Sequence, residues 1–181
     1  MTEVKNNREN EKNKKIITLL IVFILICLIC ALCFSCGYNK KKVLRPDYAP
    51  QDVEVNLEDI EDDTDIKLTA PDGGGAVSIQ YTKDVNIDLS DKKAYLNYKN
   101  PGKSTHDIVL QIVVQNEVIA QSGLIPPGNM LKELDLLNDS GVVLSEGAYE
   151  NAKFIFLCYN PESGEKAIVD AEAMIVINVT D

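Results

Sequence analysis

Residues 16–34 form an uncharged apolar run, and this run limits the structures open to the chain more than any other feature. Two lysines precede it at positions 14 and 15, and three more follow it at positions 40–42. A helix of about 20 residues is roughly 30 Å long, which matches the hydrocarbon core of a bilayer. A single soluble domain built from the rest of the chain could not bury such a helix. We therefore predict one transmembrane helix over residues 16–38.

A second kind of anchor fits the end of the same run. Ser35 and Gly37 flank Cys36 as small residues flank the lipidated cysteine of a bacterial lipobox, so lipidation of Cys36 is the alternative. Two features favour the helix. Cys33 stands where a lipobox usually has leucine, and the run is longer than the roughly 7–15 apolar residues of a cleaved signal. With either anchor, the residues after 42 leave the cytoplasm.

Charge is distributed unevenly along the chain. Residues 1–42 carry 3 acids and 8 bases, a formal charge of +5, whereas residues 43–181 carry 25 acids and 10 bases, or −15. The basic tail, residues 1–15, fits the cytoplasmic face of a membrane beside anionic headgroups. The acidic part disfavours nucleic acid and anionic lipid as partners. We predict a single-pass protein of the cell membrane with an extracytoplasmic C-terminal domain.

Four cysteines recur at every third position of the run, at Cys27, Cys30, Cys33 and Cys36. An iron–sulfur cluster needs converging thiolates, but steps of three on a helix drift backward by about 60° each, so these sulfurs diverge. We interpret them as small apolar side chains, with lipidation of Cys36 or a disulfide between neighbouring helices as alternatives. Cys158 is alone in the exterior part and cannot form a disulfide there, which points to a bacterial exported protein.

Residues 39–74 are predicted to form a flexible acidic linker. Eight acids stand between positions 52 and 65, and no base occurs between Arg45 and Lys67, so self-repulsion should keep the segment extended and solvated. Clustered carboxylates also suit calcium, but the spacing of an EF-hand loop is missing. Residues 72–75, Asp-Gly-Gly-Gly, are expected to be a hinge into the folded part. They are not a phosphate-binding loop, because no Lys-Ser or Lys-Thr follows them.

The remaining residues, 75–181, have the pattern of short β-strands separated by turns. Apolar and polar residues alternate with period two, and turn sequences such as Asn-Pro-Gly at 100–102 separate the runs. Turns about every 8–12 residues are typical of an antiparallel sandwich, and about 110 residues suffice for one core. The predicted strands cover residues 76–81, 85–89, 94–98, 108–114, 117–121, 131–136, 149–159 and 167–179.

One local motif indicates a class of sandwich. Leu144, Gly147 and Tyr149 have the L-x-x-G-x-Y spacing of a tyrosine corner, in which a tyrosine at the start of a late strand bonds back to the backbone. A long apolar strand, residues 154–159, follows the motif and strengthens the assignment. We predict an all-β domain, a single antiparallel immunoglobulin-like or fibronectin-like sandwich. The alternative for Tyr149 is an ordinary half-buried tyrosine of a strand.

The same stretch carries a family resemblance. Residues 100–102 (Asn-Pro-Gly), 122–128 (Ser-Gly-Leu-Ile-Pro-Pro-Gly), 144–149 (Leu-x-x-Gly-x-Tyr) and 159–162 (Tyr-Asn-Pro-Glu) follow one another in that order. As a set they resemble small membrane-anchored surface proteins of Gram-positive bacteria whose activity is uncharacterised. The resemblance covers about residues 75–181. It implies a surface-exposed sandwich and supplies no catalytic residue, cofactor or metal.

Catalytic groups are scarce in the sequence. His106 is the one histidine, and we expect it to be a solvated side chain in the loop before a strand. A serine–histidine–aspartate site would need Ser104 or a distant serine to reach it, together with an oxyanion hole that no motif announces. A zinc site needs three or four ligands, which His106 and Cys158 do not supply. We predict no catalytic residue, no metal site and no cofactor.

Two classes of function remain. The first is a non-catalytic interaction or structural module of the bacterial cell surface, which binds an unidentified protein through its loops or by strand addition at a sheet edge. We expect its binding residues near 100–106 or 160–166. The second is a ligand- or metal-binding accessory protein of a cell-envelope system. Charge and motifs favour the first class, with the lipid bilayer contacted through residues 16–38.

Overall fold

The structure is a computed structural model, and it divides the chain into two units, residues 1–41 and 42–181. It describes Thr18, Leu20 and residues 45–50, 52–61, 63, 66–71, 74–138, 141–168 and 170–181. Apart from Thr18 and Leu20, the predicted transmembrane helix over residues 16–38 lies outside the described residues, as do the tail 1–15 and Cys36. Across the described ranges, no helix is long and apolar enough to cross a membrane.

The described part of residues 42–181 is all-β, as the alternating pattern predicts. Its nine strands are β1 (Leu57–Asp59), β2 (Gln80–Tyr81), β3 (Asp84–Asp88), β4 (Lys93–Asn100), β5 (Asp107–Val114), β6 (Glu117–Gln121), β7 (Asn129–Asp135), β8 (Gly147–Tyr159) and β9 (Ala171–Thr180). The β5–β6 turn has positive φ at Gln115 (53°) and Asn116 (66°), as expected for a two-residue hairpin turn.

The strands form one curled sheet in the order β1-β7-β4-β3-β9-β8-β5-β6, and β2 also pairs with β4. The strand pairs are antiparallel except β3 and β9, which run parallel from the pair Asp84–Val176 to the pair Asp88–Thr180. The sheet curls until its ends approach each other. Ala120 of β6 forms a bridge with Leu136, and the Leu137 N–H donates to the Ile119 carbonyl at 2.8 Å.

The main core lies inside this curl. In β3 and β4 alternate residues are buried, which is the period-two pattern of a sheet with one wet face. Aromatic rings fill the centre: Tyr98 stacks on Phe156 with centroids 5.6 Å apart, and Tyr81 meets Phe154 edge-on at 5.9 Å. Cys158 belongs to the same cluster, as the alternation along β8 predicts.

The outer face of β5 and β8 is buried too, which alternation does not predict. Every residue from Phe154 to Tyr159 is buried, and Val109, Ile155 and Leu157 belong to a second apolar cluster outside the main core. Ala49 and Leu124 pack against this cluster. The reason is that residues N-terminal to the sandwich cross this face.

We call the described residues between 45 and 79 (45–50, 52–61, 63, 66–71 and 74–79) the strap, because they run along the sandwich instead of projecting into solvent as the linker prediction requires. Its first half is held by backbone hydrogen bonds. The Ala49 N–H donates to the Gly164 carbonyl at 2.8 Å, and the Glu54 N–H donates to the Leu124 carbonyl at 2.9 Å. Strand β1 within the strap pairs with β7. Main-chain pairing therefore outweighs the self-repulsion of the acids here, and the predicted extended, solvated linker is wrong for these residues.

The second half of the strap lies against the β4–β5 loop. The Lys67 Nζ donates to the Gly102 carbonyl at 2.7 Å, and the Leu68 N–H donates to the Lys103 carbonyl at 2.7 Å. Further along, the Ala76 N–H donates to the Thr105 hydroxyl at 2.9 Å. The folded domain thus begins near Arg45, about 30 residues before the boundary at 75 that composition indicates.

Candidate functional site at the loop end

Three loops meet at one end of the sandwich: residues 101–106 between β4 and β5, 122–128 between β6 and β7, and 160–170 between β8 and β9. Between the strap and the third loop lies a cleft of about 650 Å³, a size that suits a small ligand or an inserted side chain. It is lined by Gly74, Gly75, Val77, His106, Cys158, Asn160, Ser163, Glu165, Lys166, Ala167, Ile168 and Ala171.

The 160–170 loop is held in shape by its own turn. The Asn160 side-chain oxygen accepts hydrogen bonds from the N–H groups of Glu162 (2.8 Å) and Ser163 (3.1 Å), as asparagine does in an Asx-turn. Gly164 follows with a φ of 70°, which favours glycine. This wall of the cleft is therefore preformed.

His106 is buried, with 8% of its surface exposed, so the predicted solvated loop histidine is wrong. Its Nδ1 lies 2.9 Å from the Thr105 hydroxyl, and the backbone of Gly75 lies against the ring. A Cβ added to Gly75 would stand 2.0 Å from Cε1 of His106. The cause of the burial is the strap, which passes directly over the loop.

The serine nearest to His106 in sequence already has hydrogen-bond partners. Ser104 is fully buried; its hydroxyl accepts from the Ser78 N–H at 2.9 Å and donates to the Ser78 carbonyl at 3.2 Å. Ser104 therefore fixes the end of the strap and has no hydrogen bond to His106. This geometry gives no activated nucleophile at this position.

Cys158 lies at the floor of the cleft with 5% of its surface exposed. Burial raises the pKa of its thiol to about 11, and the nearby Asp170 carboxylate adds to the rise. The thiolate is the nucleophilic and metal-binding form, so at neutral pH this cysteine behaves as a small apolar side chain.

Charged side chains bind the start of the strap to the same end. Arg45 forms ion pairs with Asp170 at 3.1 Å and with Glu172 at 2.7 Å. Lys166 pairs with the other oxygen of Asp170 at 2.6 Å, and Lys153 pairs with Glu172 at 2.8 Å. Two carboxylates on or beside β9 are thus each shared between two cations.

Two buried polar atoms near the cleft residues Cys158 and His106 have no hydrogen-bond partner within the described residues. They are the hydroxyl of Tyr98 and the side-chain oxygen of Asn100, neighbours on the inner face of β4. Burial raises the pKa of Tyr98 well above its usual value, and Cys158 contributes. The Asn100 amide nitrogen donates to the carbonyls of His106 (3.1 Å) and Ile125 (2.9 Å), joining two of the three loops.

Searches against protein families, curated proteins and solved structures return no match for this chain. The site must be interpreted from its own geometry. Nowhere in the described ranges do three or more histidine, cysteine, aspartate or glutamate side chains form a group that could hold a metal ion. The resemblance to Gram-positive surface proteins stays a prediction.

The predicted corner residues lie at the opposite end of the sandwich. The Tyr149 hydroxyl accepts from the Ser145 N–H at 3.0 Å and donates to the Ser145 carbonyl at 3.2 Å. Leu144 packs against the main core, and Gly147 has a φ of 133°. These contacts connect the loop before β8 to the first residues of that strand.

We expect Tyr149→Phe to lower the free energy of unfolding by about 1 kcal/mol, the typical net contribution of one hydrogen bond. The ring stays, so the change removes only the hydroxyl and its contacts to the N–H, the carbonyl and the side-chain hydroxyl of Ser145. Chemical denaturation measures the effect, and Tyr95→Phe is the control, since its exposed hydroxyl bonds only to the exposed Asp91. Equal stability of wild type and Tyr149→Phe would show that the corner does not stabilise the fold.

Cys158 should also make stability depend on alkaline pH. Its folded pKa of about 11 exceeds the ordinary value of 9.0, so the unfolded chain loses the thiol proton first. The associated stability is complete below pH 9 and falls as the pH rises towards about 11. We expect this decline, followed by urea titrations at each pH, to be smaller in Cys158→Ala. Superimposable pH profiles for the two proteins would contradict the assigned thiol environment.

Sequence patterns missed most of this site. The cleft takes one wall from residues 74–77, which resemble a hinge in composition, and its ion pairs reach back to Arg45 across more than 120 residues. The sequence did contain one indication of the site: polar residues stand at inward-facing positions of β4 and of the β4–β5 loop. Asn100 and Ser104 fall where an apolar core residue is expected, and such residues are retained only when hydrogen-bonded.

Proposed function

We propose that residues 16–38 anchor this chain in a bacterial cell membrane, and that the domain from Arg45 onward is an extracytoplasmic, non-catalytic interaction module. The observation that carries the proposal is the cleft at the loop end. It has the volume to receive a partner group, while the nucleophilic and basic side chains around it serve the fold.

We further infer an immunoglobulin-like arrangement, which would suit a role in binding. The one curled sheet has two halves, β1-β7-β4-β3 and β9-β8-β5-β6, and side chains of both halves meet in the main core, as they would between the two sheets of a sandwich. The hydrogen bonds of Tyr149 to Ser145 correspond to those of a tyrosine corner at the start of the penultimate strand. Domains of this architecture commonly recognise partners through the loops at one end.

Chemistry at the cleft favours binding over catalysis. Burial keeps the Cys158 thiol protonated, the Ser104 hydroxyl is hydrogen-bonded to the backbone of Ser78, and the backbone of Gly75 covers the His106 ring. A nucleophile needs an adjacent base within hydrogen-bond reach. Ser104 and His106 have other hydrogen-bond partners, and Cys158 stays a buried thiol. Binding requires only the shape, the rim and the polar groups that the loops present.

Strand addition is the weaker route to a partner. Edge strand β1 has three residues, and the other edge strand, β6, is partly covered by residues 136–137. Short or covered edges are the usual protection against pairing with other chains. We therefore place the binding surface at the loop end, around the cleft rim.

The second candidate, a ligand-binding accessory protein of the envelope, is favoured by one observation. The unpartnered oxygens of Tyr98 and Asn100 belong to residues that neighbour Cys158 and His106 of the cleft lining, and buried polar atoms usually find a water or ligand partner. A small polar molecule that reached them would satisfy both.

The test is crosslinking of the tagged full-length chain in the cells that make it, comparing wild type with Ile168→Ser. Ile168 is 100% exposed on the cleft rim, so the change removes an apolar contact without affecting the core. We expect a discrete crosslinked species that Ile168→Ser reduces several-fold. The matched control is Val143→Ser, which alters an apolar side chain with 95% exposure at the other end.

Three outcomes are informative. Loss with Ile168→Ser alone supports the proposed surface. Equal loss with both variants, or no change with either, contradicts it. If the wild type gave no crosslinked species at all, the reason for calling the domain an interaction module would be removed.

A further inference from the structure

We propose that the strap is a force-released extension, and that the parallel β3–β9 pair is the load-bearing element that remains once the strap has detached. The inference rests on the proposed anchoring in one respect: a membrane anchor before Arg45 and a partner bound further along would place the domain under tension. The mechanical behaviour itself follows from how residues 45–181 are connected.

The strap meets the sandwich at separate points in chain order. Starting from Arg45, the contacts pass from the 160–170 loop to Leu124, then to β7, and finally to the β4–β5 loop. Tension on the N-terminal side therefore loads one group of hydrogen bonds at a time. Each group consists of only a few hydrogen bonds. Because the groups break one after another, the force needed to detach the strap should be low.

Strands β3 and β9 are loaded differently. Strand β3 is the first strand after the strap and the two-residue β2, strand β9 is the last strand of the described chain, and the two are parallel over five residue pairs. Tension that pulls Asp84 backward and Thr180 forward slides the strands past each other along their axes. All bonds between them then resist together, so this pair withstands more force than the strap.

The two ends of the ladder are well defined. The Val176 N–H donates to the Lys83 carbonyl at 2.9 Å, and the Leu89 N–H donates to the Thr180 carbonyl at 2.9 Å. Between them Val85, Ile87 and Ile177 are fully buried. Sliding must therefore also move apolar side chains out of the core, which adds to the resistance.

The expected consequence is a two-step response to force. Residues 45–83, which comprise the strap, β2 and the residues before β3, would give up to about 130–140 Å of chain at roughly 3.3–3.6 Å per residue. The rest of the sandwich stays folded, while the cleft loses the wall that Gly74, Gly75 and Val77 supply. Residues 84–180 would extend by about 340 Å on the same scale in a second step at higher force. Detachment of the strap would thus lengthen the connection to the membrane and open the cleft on the side of the strap.

Single-molecule pulling tests the proposal on the full chain in detergent, with handles attached enzymatically at both termini. We expect a lower-force step and a higher-force step with these lengths. Gly123→Ala should lower the first force several-fold, because its Cβ would stand 2.8 Å from the Asp52 carbonyl oxygen and the Glu54 nitrogen. The second force, unchanged in the same traces, is the internal control.

A change of pulling direction tests the β3–β9 pair without a core substitution. A handle at Ser90, close to where β3 ends beside Thr180, pulled against the C-terminus opens the ladder from one end. We expect the sandwich to unfold at a several-fold lower force in this direction. A single step in the first experiment, or equal unfolding forces in both directions, would overturn the proposal. Neither result depends on whether residues 16–38 span a membrane, so the anchoring can fail independently.

Discussion

Removal of residues 1–74 is expected to lower the free energy of unfolding by about 3 kcal/mol or more, relative to a chain that begins at residue 43. The strap supplies several backbone hydrogen bonds to the sandwich, each of which contributes roughly 0.5–1.5 kcal/mol net. The Tyr159 hydroxyl also loses its acceptor, the Pro46 carbonyl at 3.1 Å. In addition, Ala49 no longer packs on the outer apolar cluster of β5 and β8.

Urea denaturation of the two shortened chains measures this difference. The chain beginning at residue 43 keeps the strap and serves as the control for removal of the N-terminal unit. It is expected to unfold in one cooperative transition. Equal unfolding free energies for the two chains would mean that the strap contacts add nothing to stability, and the domain boundary near residue 75 would then be correct.

Gly147→Val is expected to lower the free energy of unfolding by about 1–3 kcal/mol, the usual cost of a strained backbone conformation. Gly147 has a φ of 133°, and nothing lies within 4 Å of a Cβ added there. The cost is therefore conformational and not steric, and a β-branched side chain bears it most heavily.

The adjacent exposed residue provides the matched comparison. Glu146→Val introduces the same side chain one position earlier, outside the positive-φ region, and is expected to change stability by less than about 0.5 kcal/mol. Thermal or chemical unfolding of the two variants separates backbone strain from a general effect of valine. If both variants matched the wild type, Gly147 would not be required by the loop before β8.

The strands were predictable because most of them have one solvent-exposed face. In β3 and β4, alternation of buried and exposed residues is visible in the sequence, and the turns at 100–102 and 160–164 are marked by residues with specific turn chemistry. Cys158 alternates along β8 with Phe154 and Phe156 and shares their place in the main core. Periodicity sufficed wherever burial was decided by the sheet itself.

The strap was not predictable by these means. Its acidic composition is that of a solvated segment, yet its contacts are made largely by backbone N–H and carbonyl groups, which every residue carries. The same reason explains His106: its burial is imposed by Gly75, more than 30 positions away, and not by its own neighbours. The near-continuous apolar character of β5 was the available clue, since a strand buried on both faces must be covered by another part of the chain.

The sidedness of the chain in its membrane is the central claim of the proposed function. Intact cells stripped of their wall would be treated with an external protease, and the fragments retained by the membrane would be weighed by mass spectrometry. The account predicts digestion of the domain from Arg45 onward, leaving a membrane-bound fragment that still begins at Met1. Protection of residues 45–181 in sealed cells, with digestion only after lysis, would contradict it.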